Sequence, residues 1–178
     1  MKKRLFIAVE LPDHIKNEII IHQNNLVRKL GVKGKTRREA LHLTIKFIGD
    51  FEESLIEKLC AELKKQTEKE KNFNLTLEKL GCFPNCKNPR IIFISTTKPE
   101  ELLNIVNSTE KVCRKFNIPE ETREFKPHIT IYRPKKKAQL EEKKVNPLSF
   151  EVKSITLFQS ILKPEGAQYI PIEKFALS

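Results

Sequence analysis

An internal repeat is the strongest constraint on how this chain can fold. When the 178-residue sequence is shifted by the 86 positions that separate His42 from His128, its first half lies over its second half. Residues 4–9 then fall on 90–95, Leu30 falls on Phe116, and Arg37 falls on Arg123. The tetrapeptide His-Leu-Thr-Ile at 42–45 falls on His-Ile-Thr-Ile at 128–131. Ordinary residue frequencies make this coincidence improbable, so the repeat predicts two related lobes.

Hydrophobic periodicity predicts an alternation of strands and helices. Strands are expected at residues 5–10, 41–49, 73–78, 90–95, 127–133, 148–158 and 167–172. Helices are expected at 12–31, around 55–63 and around 102–116, and the charged segment 134–147 is expected to be a surface loop. The predicted fold class is α+β, with two pseudo-symmetric lobes that flank a central cleft. Each lobe is an antiparallel-rich sheet backed by helices, and residues 1–178 form a single bilobal domain.

The two histidines are expected to face the cleft. Side chains alternate across a strand, so His42 and Thr44 share one face with Lys46, and His128 and Thr130 share one with Tyr132. Each His could instead be a satisfied sheet residue, and each Thr a simple strand former. Two copies in matched register favour a functional site. The two remaining histidines, His14 and His22, have no such pairing and are expected at the surface or its boundary.

The balance of charge favours a polyanionic partner. Lys and Arg exceed Asp and Glu by 34 to 23, which gives a net charge of +11. Basic side chains displace counterions from nucleic-acid phosphates, although a merely solvated surface would have the same composition. The apolar stretches are too short to span a bilayer, and the basic N-terminus lacks the apolar region of a signal peptide. A cytoplasmic protein is expected, without a membrane partner.

The four cysteines do not form a recognisable metal site. Cys60 and Cys113 fall on the apolar faces of predicted helices and are expected to be buried free thiols. Cys82 and Cys86 form a C-x3-C pair, but no second pair at zinc-site spacing completes it. We expect neither a metal nor a cofactor.

The doubled motif and its flanks resemble the 2H phosphoesterase superfamily, and within it the RNA 2',3'-cyclic phosphodiesterase, or 2'-5' RNA ligase, family. The similarity covers residues 5–9, 41–49, 83–84 with 89–90, 125–133 and 160–169. It implies that His42, Thr44, His128 and Thr130 are catalytic. It also implies that Phe47 and Arg133 hold the nucleotide, and Arg90 is a further candidate for phosphate binding.

Strict alternation conflicts with two of these binding roles. Phe47 and Arg133 each stand five residues after their histidine, which places them on the opposite face. They would reach the cleft only if the strands bulge. The alternatives are a core phenylalanine and a surface arginine at a strand end.

The chemistry explains why two such motifs are needed. Opening a cyclic phosphate requires a base to deprotonate water and an acid to protonate the leaving oxygen. Two imidazoles with ordinary pKa values of about 6.5 can divide these roles, and the Thr hydroxyls can donate to the phosphoryl oxygens. We assign the base to His128 and the acid to His42.

The resemblance implies that the substrate is an RNA or oligonucleotide end with a 2',3'-cyclic phosphate and that the product is a 2'-phosphate. The reverse reaction would make a 2'-5' linkage. We expect a monomer. The alternatives are a nucleotide- or RNA-binding module without turnover, and a phosphodiesterase of a small cyclic nucleotide or of 2'-5' oligoadenylate.

Overall fold

Nine strands and three α-helices follow the predicted order in the computed structural model, which describes all 178 residues. The helices are α1 (Asp13–Leu30), α2 (Ile56–Thr67) and α3 (Glu100–Arg114). The strands are β1 (Lys2–Glu10), β2 (His42–Glu52), β3 (Phe73–Phe83), β4 (Ile91–Thr96), β5 (His128–Tyr132), β6 (Lys143–Lys144), β7 (Ser149–Val152), β8 (Ser154–Lys163) and β9 (Gly166–Ala176).

Three predicted boundaries were wrong. The strand expected at 148–158 is interrupted at Lys153, because β7 pairs with β3 whereas β8 pairs with β1. The segment 134–147 is not entirely loop, since it contains the short strand β6. Strand β3 continues to Phe83, past its expected end at residue 78, because its later residues pair with β4.

The strands join in one antiparallel sheet of order β6-β3-β4-β5-β2-β1-β8-β9, with β7 also paired to β3. The two histidine strands are neighbours at its centre, where a single residue pair, Leu43 with Ile129, joins them. The predicted α+β class is confirmed. One cluster of 36 buried apolar residues draws on both halves, which supports the proposal that residues 1–178 form one domain.

Each histidine strand contains a β-bulge at the last residue of its H-x-T-I motif. In the pairing of β1 with β2, Ala8 lies opposite Thr44 and Ile7 opposite Lys46, so Ile45 is the extra residue. In the pairing of β4 with β5, register positions pass from Thr130 to Tyr132, so Ile131 is the extra residue. A bulge reverses the alternation of side chains beyond it. The prediction that Lys46 and Tyr132 share the face of the histidines was therefore wrong.

Both side chains turn instead toward the helices and attach the two halves to each other. The ammonium of Lys46 donates to Glu110 of α3 at 2.9 Å and to the carbonyl of Pro119 at 2.7 Å. The hydroxyl of Tyr132 donates to the carbonyls of Gly31 at 2.6 Å and Lys33 at 3.0 Å, just after α1. Each central strand is thus hydrogen-bonded to the end of the helix from the opposite half.

Helix α1 is positioned by one buried apolar stripe and one buried amide. Ile15, Ile19 and Leu26 lie in the core at helical spacing. The amide nitrogen of the fully buried Gln23 donates to the carbonyls of Thr36 and Ile131, both at 2.8 Å. Because burying an amide without partners is costly, these bonds fix α1 behind β5.

The cysteines divide into two buried thiols and one disulfide. Cys60 and Cys113 are free and buried as predicted, and burial raises their pKa values to about 11 and about 12. Cys82 and Cys86 form a disulfide, which the sequence did not predict. It closes the turn between β3 and β4. None of the helices is both long and apolar enough to cross a membrane.

The buried ion pair between Lys46 and Glu110 should contribute strongly to stability. The exposed fractions of these side chains are 5% and 13%, so Glu110→Leu would leave an ammonium buried beside one carbonyl. We expect Glu110→Leu to lower the free energy of unfolding by about 3–5 kcal/mol, as removal of one partner of a buried pair usually does. The double variant Lys46→Met/Glu110→Leu should recover most of that loss in urea unfolding.

The exposed pair Lys79–Glu142 provides the matched control. Its side chains are about half exposed, so Glu142→Leu should change the free energy of unfolding by about 1 kcal/mol or less. If the double variant at Lys46 and Glu110 were as unstable as Glu110→Leu alone, the buried ammonium would not be the source of the loss.

Candidate active site

The two motif histidines are held in the same way. The Nδ1–H of His42 donates to the carbonyl of Ala40 at 2.8 Å, and the Nδ1–H of His128 donates to the carbonyl of Lys126 at 2.7 Å. A carbonyl can only accept, so Nδ1 must carry the proton in both rings. Each neutral imidazole therefore presents an unprotonated Nε2 that can accept a proton.

The threonine hydroxyls lie on the same face of the sheet as the imidazoles. The hydroxyl of Thr44 is 3.0 Å from Nε2 of His42, to which it donates when that ring is neutral. Thr130 is half-buried and lies opposite Phe93 in the pairing of β4 with β5. The structure thus brings together the two motifs that lie 86 positions apart in the sequence, as predicted.

Aromatic rings surround each imidazole. The ring of His42 lies 5.0 Å from that of Phe6 and 5.2 Å, edge to face, from that of Tyr169. The ring of His128 lies 5.0 Å from that of Phe83 and 5.4 Å from that of Phe93. These contacts restrict the orientation of both rings and cover part of their surface.

This environment disfavours protonation of both histidines in the free protein. Burial, with smaller contributions from the positive charges of His128 and Arg133, lowers the pKa of His42 from 6.5 to about 4, against the opposing effect of the bond to Ala40. Burial also lowers the pKa of His128, and the charge of Arg133 acts in the same direction. A bound anion would oppose these effects and raise both pKa values.

The bulges bring Phe47 and Arg133 back to the histidine face. Phe47 lies opposite Phe6, is 52% exposed, and has the guanidinium of Arg4 5.0 Å from its ring centroid. Arg133 is exposed, and its charge acts on both histidines. The geometry is therefore compatible with the substrate-binding roles assigned to both residues.

The backbone of Arg133 is held by close contact with the segment after α1. Its N–H donates to the carbonyl of Gly34 at 2.7 Å. Gly34 has a φ of +114°, and a Cβ at this position would clash with the carbonyl of Arg133. A glycine is required here for both reasons.

Arg90 makes no contact with either histidine. It is exposed in the turn before β4, where its backbone N–H donates to the carbonyl of Phe83 at 2.8 Å, and its side chain has no ion pair or hydrogen bond. Its role in phosphate binding stays a prediction. No group of three or more His, Cys, Asp or Glu side chains is placed to hold a metal ion.

The roles of the aromatic rings around the imidazoles were not predicted from the sequence. Phe6 could have been found, because Leu5, Ile7 and Val9 occupy the other face of β1 and alternation directs Phe6 toward the histidines. Tyr169 could not, since it reaches His42 only through the pairing of β9 with β8 and of β8 with β1.

Comparison with known proteins identifies the class and then the family. A family model described as LigT-like phosphoesterase matches residues 9–93 and again 94–169, once for each half. A relative from Methanocaldococcus jannaschii is 35% identical over 97% of this chain and 99% of its own length. One from Archaeoglobus fulgidus is 31% identical over the same shares, and both are named RNA 2',3'-cyclic phosphodiesterase.

Solved structures agree with this result. The crystal structure of TT0787 from Thermus thermophilus superimposes with a TM-score of 0.88 and 29% identity, covering 98% of this chain and 97% of its own. The fold is that of a phosphoesterase. The chain belongs to the LigT-like phosphoesterase family and is an enzyme of the hydrolase class.

The depressed pKa of His42 should make stability depend on pH. The pKa of His42 is about 6.5 in the unfolded chain but about 4 in the folded protein. The unfolded chain therefore binds the proton first, and the folded state loses stability as the pH falls through this window. At one pKa unit for about 1.4 kcal/mol, the loss is about 3 kcal/mol. Wild-type protein should therefore lose about that much more than His42→Gln between pH 7 and pH 4 in urea unfolding. Parallel pH curves for the two proteins would contradict the buried neutral imidazole.

Gly34→Ala should reduce activity more than Gly31→Ala. Both positions have positive φ, so each variant bears backbone strain of about 1–3 kcal/mol, but a Cβ at Gly31 meets no atom within 4 Å. Only the Gly34 variant displaces Arg133. We expect its kcat/KM to be about 10- to 100-fold below that of Gly31→Ala, measured where circular dichroism shows both folded. Equal activities would show that Arg133 needs no such positioning.

Proposed function

We propose that this enzyme hydrolyses 2',3'-cyclic phosphate ends of RNA to 2'-phosphate ends by acid–base catalysis with His42 and His128. The observation that carries the proposal is the matched anchoring of the two imidazoles, each with Nδ1–H bonded to the carbonyl two residues earlier. Further support comes from curated relatives that are named RNA 2',3'-cyclic phosphodiesterase.

The proposed reaction uses the two imidazoles on opposite sides of phosphorus. One Nε2 removes a proton from water as the water oxygen attacks phosphorus, and the other protonates the departing ribose 3'-oxygen. The lowered pKa values favour the neutral form of both imidazoles in the free enzyme. The imidazole that acts as the acid must therefore be protonated in the complex, where the negative charge of the bound phosphate raises its pKa. The hydroxyls of Thr44 and Thr130 are suited to donate to the non-bridging oxygens, where charge grows in the transition state.

The exposed residues beside the imidazoles suit a nucleotide. The ring of Phe47 offers an exposed surface for a nucleobase, and the guanidinium of Arg133 offers a charge for the phosphate. Run in reverse, the same site would join a cyclic phosphate end to a 5'-hydroxyl as a 2'-5' linkage. The assignment of His128 as base and His42 as acid stays a prediction, because the two rings have the same tautomer.

Phosphorus NMR of the product from an RNA oligomer ending in a 2',3'-cyclic phosphate tests the proposed function. The assay is run after exhaustive chelation of divalent metals. The proposed mechanism needs no metal, because the two imidazoles supply both the acid and the base. We expect a 2'-phosphate product at an undiminished rate. A 3'-phosphate product, or a strict need for an added divalent metal, would overturn the proposal.

Substrates with different leaving groups separate the acid from the base. His42→Ala and His128→Ala should each lower kcat/KM about 100-fold or more on the cyclic phosphate, and each should remove one limb of a bell-shaped pH profile. An aryl phosphodiester has a leaving group that needs no protonation. It should largely rescue the variant that lacks the acid, which we expect to be His42→Ala. Rescue of His128→Ala would reverse the assignment, and full activity in both variants would remove the histidines from the mechanism.

A further inference from the structure

Positive charge without ion-pair partners is concentrated on one surface. Residues 28–35 contain Arg28 and three lysines, residues 133–137 contain Arg133 and three lysines, and neither segment has an acidic residue. Many cations elsewhere form ion pairs, but none of these eight does. We call these two segments the lysine surface; its lysines are Lys29, Lys33, Lys35, Lys135, Lys136 and Lys137.

The two segments are adjacent because the end of β5 holds them together. The hydroxyl of Tyr132 bonds to the carbonyls of Gly31 and Lys33, and the N–H of Arg133 bonds to the carbonyl of Gly34. The N–H of Thr36 also donates to the carbonyl of Ile131 at 3.0 Å. A surface cavity of about 330 Å³ lies between the segments, and four of its seven lining residues are lysines.

The lysine surface begins at the candidate active site. Arg133 belongs to both, since its charge acts on His42 and His128 while residues 134–137 continue from it along the chain. A polyanion with one end at the histidines would therefore meet this surface as it leaves the site. Repulsion among these unpaired positive charges destabilises the folded protein, and a bound polyanion would reduce that repulsion.

We propose that the lysine surface binds the sugar-phosphate backbone of a single RNA strand, upstream of the 3'-terminal nucleotide that occupies the active site. This inference rests on the proposed function and adds to it a binding surface for the remainder of the strand. The surface has no aromatic residue with which to stack bases, and flexible lysines act on phosphates as point charges. Recognition is therefore independent of sequence.

Two triple variants with equal changes of charge test the proposal. Lys135→Gln/Lys136→Gln/Lys137→Gln removes three cations from the lysine surface. Lys58→Gln/Lys64→Gln/Lys69→Gln removes three exposed, unpaired cations from α2 and the turn after it. Each protein is assayed with a mononucleoside 2',3'-cyclic phosphate and with a short RNA oligomer ending in the same group.

The lysine-surface variant should raise KM for the oligomer about 10-fold at low salt, with kcat and the mononucleoside kinetics unchanged. The slope of log KM against log salt should become shallower by about 2, because each phosphate contact on a single strand contributes about 0.7. The α2 variant should match wild type. An oligomer KM no higher than that of the α2 variant would overturn the proposal, and so would equal loss on both substrates, which would indicate a disturbed active site.

A direct binding measurement separates this proposal from the proposed function. Fluorescence anisotropy with an RNA oligomer that ends in a 2'-phosphate needs no turnover. Weaker binding by the lysine-surface variant alone would support the surface even if wild-type protein failed to open cyclic phosphates. Failure of all three proteins to bind the oligomer, or lysine-dependent binding of anionic phospholipid vesicles in place of RNA, would overturn the proposal while leaving any mononucleoside activity unaffected.

Discussion

The β-bulges at Ile45 and Ile131 determine how the rest of the structure is arranged. Before each bulge, alternation places the His and Thr side chains on one face of the sheet; after it, the parity is reversed. The next residue, Lys46 or Tyr132, turns to the helical side and bonds to the far half. The residue after that, Phe47 or Arg133, returns to the face of the histidines. The bulge at the end of each motif thus produces both the link between the halves and the flanks of the site.

The link matters because the central strands are joined by only one residue pair, Leu43 with Ile129. A sheet paired so weakly at its centre would not hold two imidazoles in a fixed relation. Two side-chain hydrogen bonds add to this weak connection between the halves. Lys46 donates to the carbonyl of Pro119, and Tyr132 donates to the carbonyl of Lys33. Pro119 and Lys33 are themselves related by the 86-residue shift, as are Asn117 and Gly31, which follow α3 and α1 and both have positive φ. The repeat therefore includes the segments after α1 and α3 that bond to the central strands, as well as the two motifs.

Sequence reasoning predicted the repeat, the fold class and the doubled motif, because each depends on local pattern. It failed where the pairing of strands interrupts the regular alternation of side chains. Lys46 and Tyr132 were placed on the wrong face because strict alternation cannot include a bulge. The 86-residue shift also misaligns β1 with β4: Ala8 lies opposite Thr44 and Phe93 opposite Thr130, a spacing of 85. Arg90 therefore corresponds to Leu5 and not to Arg4, the residue whose guanidinium lies against Phe47.

The two halves differ most usefully at the residue that follows each bulge by two positions. A symmetric cleft with identical side chains at both places would offer the same chemistry twice, whereas a nucleotide has a flat apolar base and a charged phosphate. Phe47 provides an exposed ring in one half, and Arg133 provides a guanidinium in the other. The imidazoles and hydroxyls, which would act on the two sides of one phosphorus atom, are kept alike. The two motifs are alike, which suits a reaction centre with equivalent groups on both sides. The residues at 47 and 133 differ, which suits a substrate whose base and phosphate need different contacts.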